Sequence, residues 1–257
     1  MRVLPSMVFS SVLVSLLLTG TAAAGTERLR PVPVGAAALT ANPIYKAGEL
    51  KLDTCPERPV RDDDFKGVTN YLNGILHCLN TSWKRQFTAA KLPFAMAKLR
   101  TIRRSGVKTG CNTFPKDAQA IYCSKDKTIV FQLDKNVLTG TSDLFLFEAI
   151  AHEYGHHVQQ LSGIMTTFDS RKYRTKEDYN AASRRLELQA DCLSGAFIGS
   201  VWSSLKRPAS DFAYLRRIAT NSPTHGKAAN YSYWLNRGFR AKGPDACNTF
   251  AARSRVS

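Results

Sequence analysis

The sequence contains no Cys-x-x-Cys pair, no internal repeat and no low-complexity tract. The first absence argues against a structural zinc ribbon. The other two exclude repeat architectures and compositionally biased disordered chains. Acidic residues are scarce as well: 20 Asp and Glu stand against 36 Lys and Arg, a formal charge of +16. A balance this basic favours anionic surroundings such as cell-wall polymers, acidic lipids, nucleic acid or acidic substrates. No motif selects among these. The expectation is a solvated basic surface, with an anionic cell-wall or surface polymer as a candidate partner and no specific nucleic-acid binding.

The apolar stretch from Met7 to Leu18 is too short to span a bilayer comfortably, which takes roughly 20 residues. Arg2 precedes it and Ala22-Ala23-Ala24 follows it, so residues 1–24 read as a signal peptide. No cysteine lies near that cleavage point, which argues against lipid attachment. The expected product is secreted, extracellular or in the cell envelope, with no membrane span after cleavage. What remains is long enough for one domain with a substantial core. Residues 25–50 hold Pro31, Pro33 and Pro43 among small and polar residues and read as a linker or N-terminal arm. Residues 51–257 form the expected domain.

The six cysteines behind a signal peptide suggest disulfides. Neighbour pairing is the simplest of the possible connectivities: Cys55–Cys78, Cys111–Cys123 and Cys192–Cys247.

Asp62-Asp63-Asp64 opens an amphipathic helix, in which Phe65, Val68, Leu72, Ile75, Leu76, Leu79 and Trp83 recur at three- and four-residue steps. His77 lies on this helix and reads as structural or exposed. Lys98–Arg103 alternates weakly, like a half-exposed strand, and its basic residues read as one solvated face. Cys111 and Cys123 bracket a loop. Lys127–Leu133 is rich in β-branched and aromatic residues and predicts a second strand. The two make a small sheet with an edge free for an extended peptide.

Thr141-Ser142-Asp143 signals another helix start. Leu144 to His152 is apolar except at Glu148 and His152, which predicts a central, buried helix ending at Ser162-Gly163. Residues 165–175 read as a polar, basic loop. A long helix follows from the capping-box-like Thr175-Lys-Glu-Asp178 to about Leu205. Two shorter helices are expected over Phe212–Ala219 and Ala228–Arg237, the last stopped at Gly238.

The buried helix carries His152-Glu153-Tyr154-Gly155-His156. Residues four apart share a helix face, so His152 and His156 can hold one metal ion together. Glu153 stands beside the open position as a candidate general base. Hydrolytic zinc takes three protein ligands and keeps a fourth position open. A third histidine six residues beyond the second would fall at Ser162, and the glycine of that pattern would fall at Gln159. Both are excluded. Glu187, on the long helix, is the best remaining ligand, and Asp191 on the same face can hydrogen-bond the outer nitrogen of a ligating histidine. One catalytic Zn²⁺ is therefore the expected cofactor. His225, in the turn Pro223-Thr-His-Gly226, is the candidate donor to an oxyanion, with Tyr122 and Tyr231 weaker candidates. Glu148 and His157 are helical neighbours of the site.

His152-Glu-Tyr-Gly-His-His-Val-Gln159 followed by Glu187-Leu-Gln-Ala-Asp-Cys192 resembles the bacterial putative neutral zinc metallopeptidases, a gluzincin-like group. The resemblance extends from Asn42-Pro-Ile-Tyr through Tyr122-Cys123 to Thr224-His-Gly226 and Cys247. It implies a compact, mainly helical α+β fold in which an active-site helix and a glutamate helix pack with a small sheet. It adds little about substrate; a peptide or protein is the expected one. The expected function is zinc-dependent peptide-bond hydrolysis. The alternative is a non-catalytic zinc-containing surface protein that uses its basic face on anionic polymers. The intact Glu153 favours the enzyme, because a scaffold needs no general base.

Overall fold

The computed structural model describes residues 29–51, 54–140 and 142–257. The expected signal peptide and the first four residues of the expected arm lie outside them. The rest of that arm forms helix α1 (Gly35–Thr40) and a 3₁₀ turn (Pro43–Lys46). Leu39, Ile44, Tyr45 and Leu50 are buried with the main core, so this stretch is packed onto the body of the protein.

Helix α2 (Phe65–Ala89) begins where Asp64 accepts a hydrogen bond from Gly67 N at 2.7 Å. Its apolar stripe is buried as the spacing requires, and His77 is exposed. The sheet has three strands, β1 (Lys98–Ile102), β2 (Ala120–Cys123) and β3 (Thr128–Gln132), in the order β1-β3-β2. β1 runs parallel to β3, and β2 runs antiparallel to it with Tyr122 opposite Ile129. Strand β2 lies in the stretch expected to be a loop. Four residues, three half-buried and one buried, give too short a pattern to read, and pairing with the fully buried β3 defines the strand.

Helix α3 (Lys135–Gly140) leads to α4 (Asp143–Leu161), whose first turn is capped by Ser142. Arg207 fastens this end by ion pairs to Asp143, Glu57 and Asp211 at 2.8–3.0 Å. Helix α5 (Ile164–Ser170) occupies part of the expected polar loop. The chain turns at Gly163, with φ of 82°, and Ile164 and Phe168 then bury toward the core. Helix α6 (Lys176–Leu205) is capped by Thr175 and is buried over most of its second half. Helix α7 (Ala209–Leu215) starts directly after Pro208, earlier than expected. Helix α8 (Ala228–Ala241) runs through Gly238 instead of stopping there.

The reason lies in the packing of α6 between α4 and α8. A Cβ on Gly238 would lie 1.9 Å from the Cys192 carbonyl oxygen, and one on Gly195 would lie 2.1 Å from that of Leu235. These glycines let two backbones touch, so Gly238 serves contact rather than termination. All three disulfides join the expected partners, Cys55–Cys78, Cys111–Cys123 and Cys192–Cys247. Among the described residues no helix is long and apolar enough to cross a membrane.

Gly195→Ala should therefore destabilise the protein by about 1–3 kcal/mol through overpacking, a fall in Tm of roughly 3–10 °C. Gly74→Ala is the control, because a Cβ there meets nothing within 4 Å. Its Tm should hold or rise slightly.

Candidate metal centre

Helix α4 presents its histidines toward α6 because the two backbones approach closely at Gly155. A Cβ at that position would lie 2.8 Å from Ala190 Cα and 3.0 Å from Ala190 Cβ. Ala190 sits between Glu187 and Asp191, so this contact brings both carboxylates to the histidine face.

His152 Nδ1 donates to Asp191 Oδ1 at 2.7 Å, and His156 Nδ1 donates to Gln159 Oε1 at 2.9 Å. With each Nδ1 engaged in this way, both Nε2 atoms are left to face Glu187. His152 Nε2 is 3.4 Å and His156 Nε2 is 3.2 Å from Glu187 Oε2. The donor atoms of His152, His156 and Glu187 all lie within 4.8 Å of one another. Glu187 Oε2 is buried and makes no hydrogen bond of acceptable geometry, although imidazole nitrogens surround it. A buried carboxylate oxygen in that position is costly unless a cation completes it. Two imidazoles and one carboxylate suit zinc, whose bonds to them are about 2.0–2.2 Å. The residues fit the ion.

The ionisation of these groups follows from burial and from their neighbours. Burial opposes the charge of Glu187, but His156 and His152 outweigh it and hold its carboxyl well below the usual range. Burial likewise lowers the His152 value, but Asp191 outweighs it and the net value is raised. Burial raises Glu153, against the pull of His156 and His152. Glu148 is pushed up to about 7, chiefly by burial.

A cleft of about 530 Å³ opens over the site, with β2 on one side and α4 and α6 on the other. Glu153 lines it beside the histidines. His225 reaches it from the turn before α8, where Ser222 and Gly226 exchange backbone hydrogen bonds at 2.9 Å. Its Nε2 is 3.5 Å from Glu187 Oε2, and its ring stacks on His152 at 6.4 Å between centroids. His225 is exposed, and Arg184 of α6 holds its turn by donating to Pro223 O at 3.0 Å. Of the weaker candidates, Tyr122 lines the cleft, but its hydroxyl is bonded to His157 Nδ1 at 2.9 Å. The Tyr231 hydroxyl is buried and donates to Leu215 O at 3.1 Å.

The roles of three participants escape sequence reasoning. Gln159 orients His156 and passes hydrogen bonds to Leu186 O and Gln189 Oε1. Gln189 in turn donates to the Tyr45 hydroxyl and to Cys247 O. His157 donates from Nε2 to Ala95 O at 2.8 Å and accepts from Tyr122, so it ties α4 to the sheet. For Gln159 the one available signal is its position three residues after His156, on the same helix face.

Fold and site together define an α+β protein in which a glutamate of a second helix stands against the histidines of a His-Glu-x-x-His helix. The chain belongs to the family described as putative neutral zinc metallopeptidase, whose model matches residues 56–211. It is similar to "Uncharacterized protein YpfJ" of Escherichia coli K12, 29% identical over 206 residues, which are 71% of each chain. It is also similar to "Uncharacterized protein Rv2575" of Mycobacterium tuberculosis H37Rv, 30% identical over 184 residues, 57% of this chain and 60% of that one. No solved structure matches it significantly. His225 and Cys247 lie beyond the span that the family model matches.

Two outcomes follow from this geometry. The Cys192–Cys247 bond is one residue beyond Asp191, and Gln189 bonds Cys247 O. Cys192→Ser should therefore weaken zinc retention against a chelator more than Cys111→Ser does. Equal metal loss in the two variants would contradict this. The second outcome concerns pH. His157 is lowered from 6.5 to about 4, chiefly by burial. A depressed folded value contributes stability that is complete above pH 6.5 and is lost as pH falls toward 4. Against His157→Gln, the metal-free protein should lose up to about 1.4 kcal/mol more per pH unit across that window. Urea unfolding measures the difference.

Proposed function

We propose that the chain is a secreted zinc-dependent endopeptidase, with His152, His156 and Glu187 as ligands and Glu153 as general base. The observation that carries this reading is Glu187 Oε2, a buried oxygen without a hydrogen bond, set 3.2–3.5 Å from three imidazole nitrogens. The family supports the zinc and the peptidase class. Three disulfides support an oxidising compartment.

Bound zinc would supply Lewis acidity at the floor of the cleft. The protein's own groups do the rest. Strand β2 is an edge of the sheet and borders the cleft, so an extended peptide can pair with it and lie across the histidines. Glu153 takes a proton from the attacking water as the carbon–oxygen bond forms. When the carbon–nitrogen bond breaks, the same carboxyl returns that proton to the leaving amine. The raised value of Glu153 suits it to hold a proton between the two steps. His225 lines the cleft beside His152 and donates to the oxygen that becomes negative. Asp191 and Gln159 keep the two ligand rings in the tautomer that ligation needs.

Glu153→Gln should retain zinc and lose about 10²–10⁴-fold in kcat. His225→Ala should lose about 10²–10³-fold in kcat with a smaller change in KM. Hydrolysis of a quenched-fluorescence peptide pool, with zinc content measured on the same samples, checks both. Zinc without turnover in the wild type would sink the enzyme reading and favour a non-catalytic binding protein.

A further inference from the structure

Two cavities meet at the metal centre. The cleft continues, past Glu148, His152 and His225, into a side pocket of about 200 Å³. Phe145, Ile218, Ala219 and Tyr231 line it, and Glu148 and Asp191 stand beside His152 where it meets the cleft. Pockets for whole small-molecule ligands run to about 300–1,000 Å³, so this one has room for a single side chain. Although the chain carries a charge of +16, no lysine or arginine of the described residues lines either cavity.

Glu148 has no part in the chemistry described above. It is 6% exposed, and its Oε1 lies 3.4 Å from Ser194 Oγ, a long contact. Its other oxygen has no hydrogen-bond partner among the described residues. The atom is absent from the fully enclosed unpartnered atoms, and the residue lines both cavities, so it faces the pocket. Asp191, by contrast, is committed to His152. A buried, under-used carboxyl lining an apolar-walled slot calls for a donor, and a charged one fits best. The walls suit the methylene stem of a long cationic side chain.

We propose that this side pocket selects a lysine or arginine side chain of the peptide substrate, with Glu148 as the recognising group. The inference rests on the peptidase reading and narrows its substrate class. The cation enters beside His152, so the selected residue is a near neighbour of the scissile bond.

Binding tests this apart from turnover. Zinc-loaded Glu153→Gln protein is titrated with two fluorescent peptides that differ only in one lysine or norleucine. The lysine peptide should bind about 10- to 100-fold more tightly. Adding Glu148→Gln should remove the difference. Ala219→Phe, which fills the pocket without touching the carboxyl, should remove it too and covers the case in which Glu148→Gln does not fold. Equal dissociation constants, no binding of either peptide, or a preference that survives both variants would overturn the proposal. The wild type on a mixed peptide pool separates the two claims. Cleavage indifferent to basic residues overturns the pocket assignment and leaves the peptidase reading. Lysine-selective binding with no cleavage of any peptide does the reverse.

Discussion

The structure depends on one close contact, the backbone of α4 against that of α6 at Gly155 and Ala190. Almost any side chain at Gly155 would force the helices apart by more than packing tolerates, since even a Cβ would sit 2.8 Å from Ala190 Cα. At the observed separation Glu187 reaches both histidine Nε2 atoms and Asp191 reaches His152 Nδ1. A displacement of 1 Å would break this set, because hydrogen bonds and metal bonds both fail over that range. The same helix α6 meets α8 through glycines on its other side. It is therefore held in place from two directions, and the donor atoms inherit that rigidity.

Orientation is the second requirement, and it is met by hydrogen bonds that run deep into the core. One histidine is fixed by a carboxylate of the facing helix, the other by an amide of its own helix. Burying Gln159 and Gln189 completely would cost several kcal/mol if they lacked partners. The network in which each amide both donates and accepts removes that cost, and it ends on Tyr45 and Cys247. His157 plays the corresponding part toward the sheet. It is neutral and buried, and it links α4 to Tyr122 of the edge strand.

Much of this was legible in the sequence, and the parts that were share a cause. His152, Glu153 and His156 stand at a spacing fixed by helix geometry, and Glu187 and Asp191 repeat that spacing on the second helix. Local periodicity is enough to place them on two faces. The neighbour pairing of cysteines also agrees with the disulfides observed. What stayed hidden depends on contacts between distant segments. Gln159 was weighed only as a residue that is not glycine, and its partner Gln189 is 30 residues away. Strand β2 is defined by pairing with β3, and helix α5 by where Ile164 and Phe168 find cover. Gly238 carries the same local signal whether it ends a helix or admits a neighbour, and only the position of Cys192 decides between them.

The amide network has a bearing on when the site comes into being. Its members stand at positions 45, 159, 189 and 247, so it joins the arm, both central helices and the C-terminal segment. A chain is made from its N-terminus, and the histidine pair emerges long before Cys247. Until that last segment docks, Gln189, the partner of the amide that orients His156, lacks one of its acceptors. The motif is thus made before the outermost of its supports, and the anchoring of Gln189 follows the docking of the segment that carries Cys247.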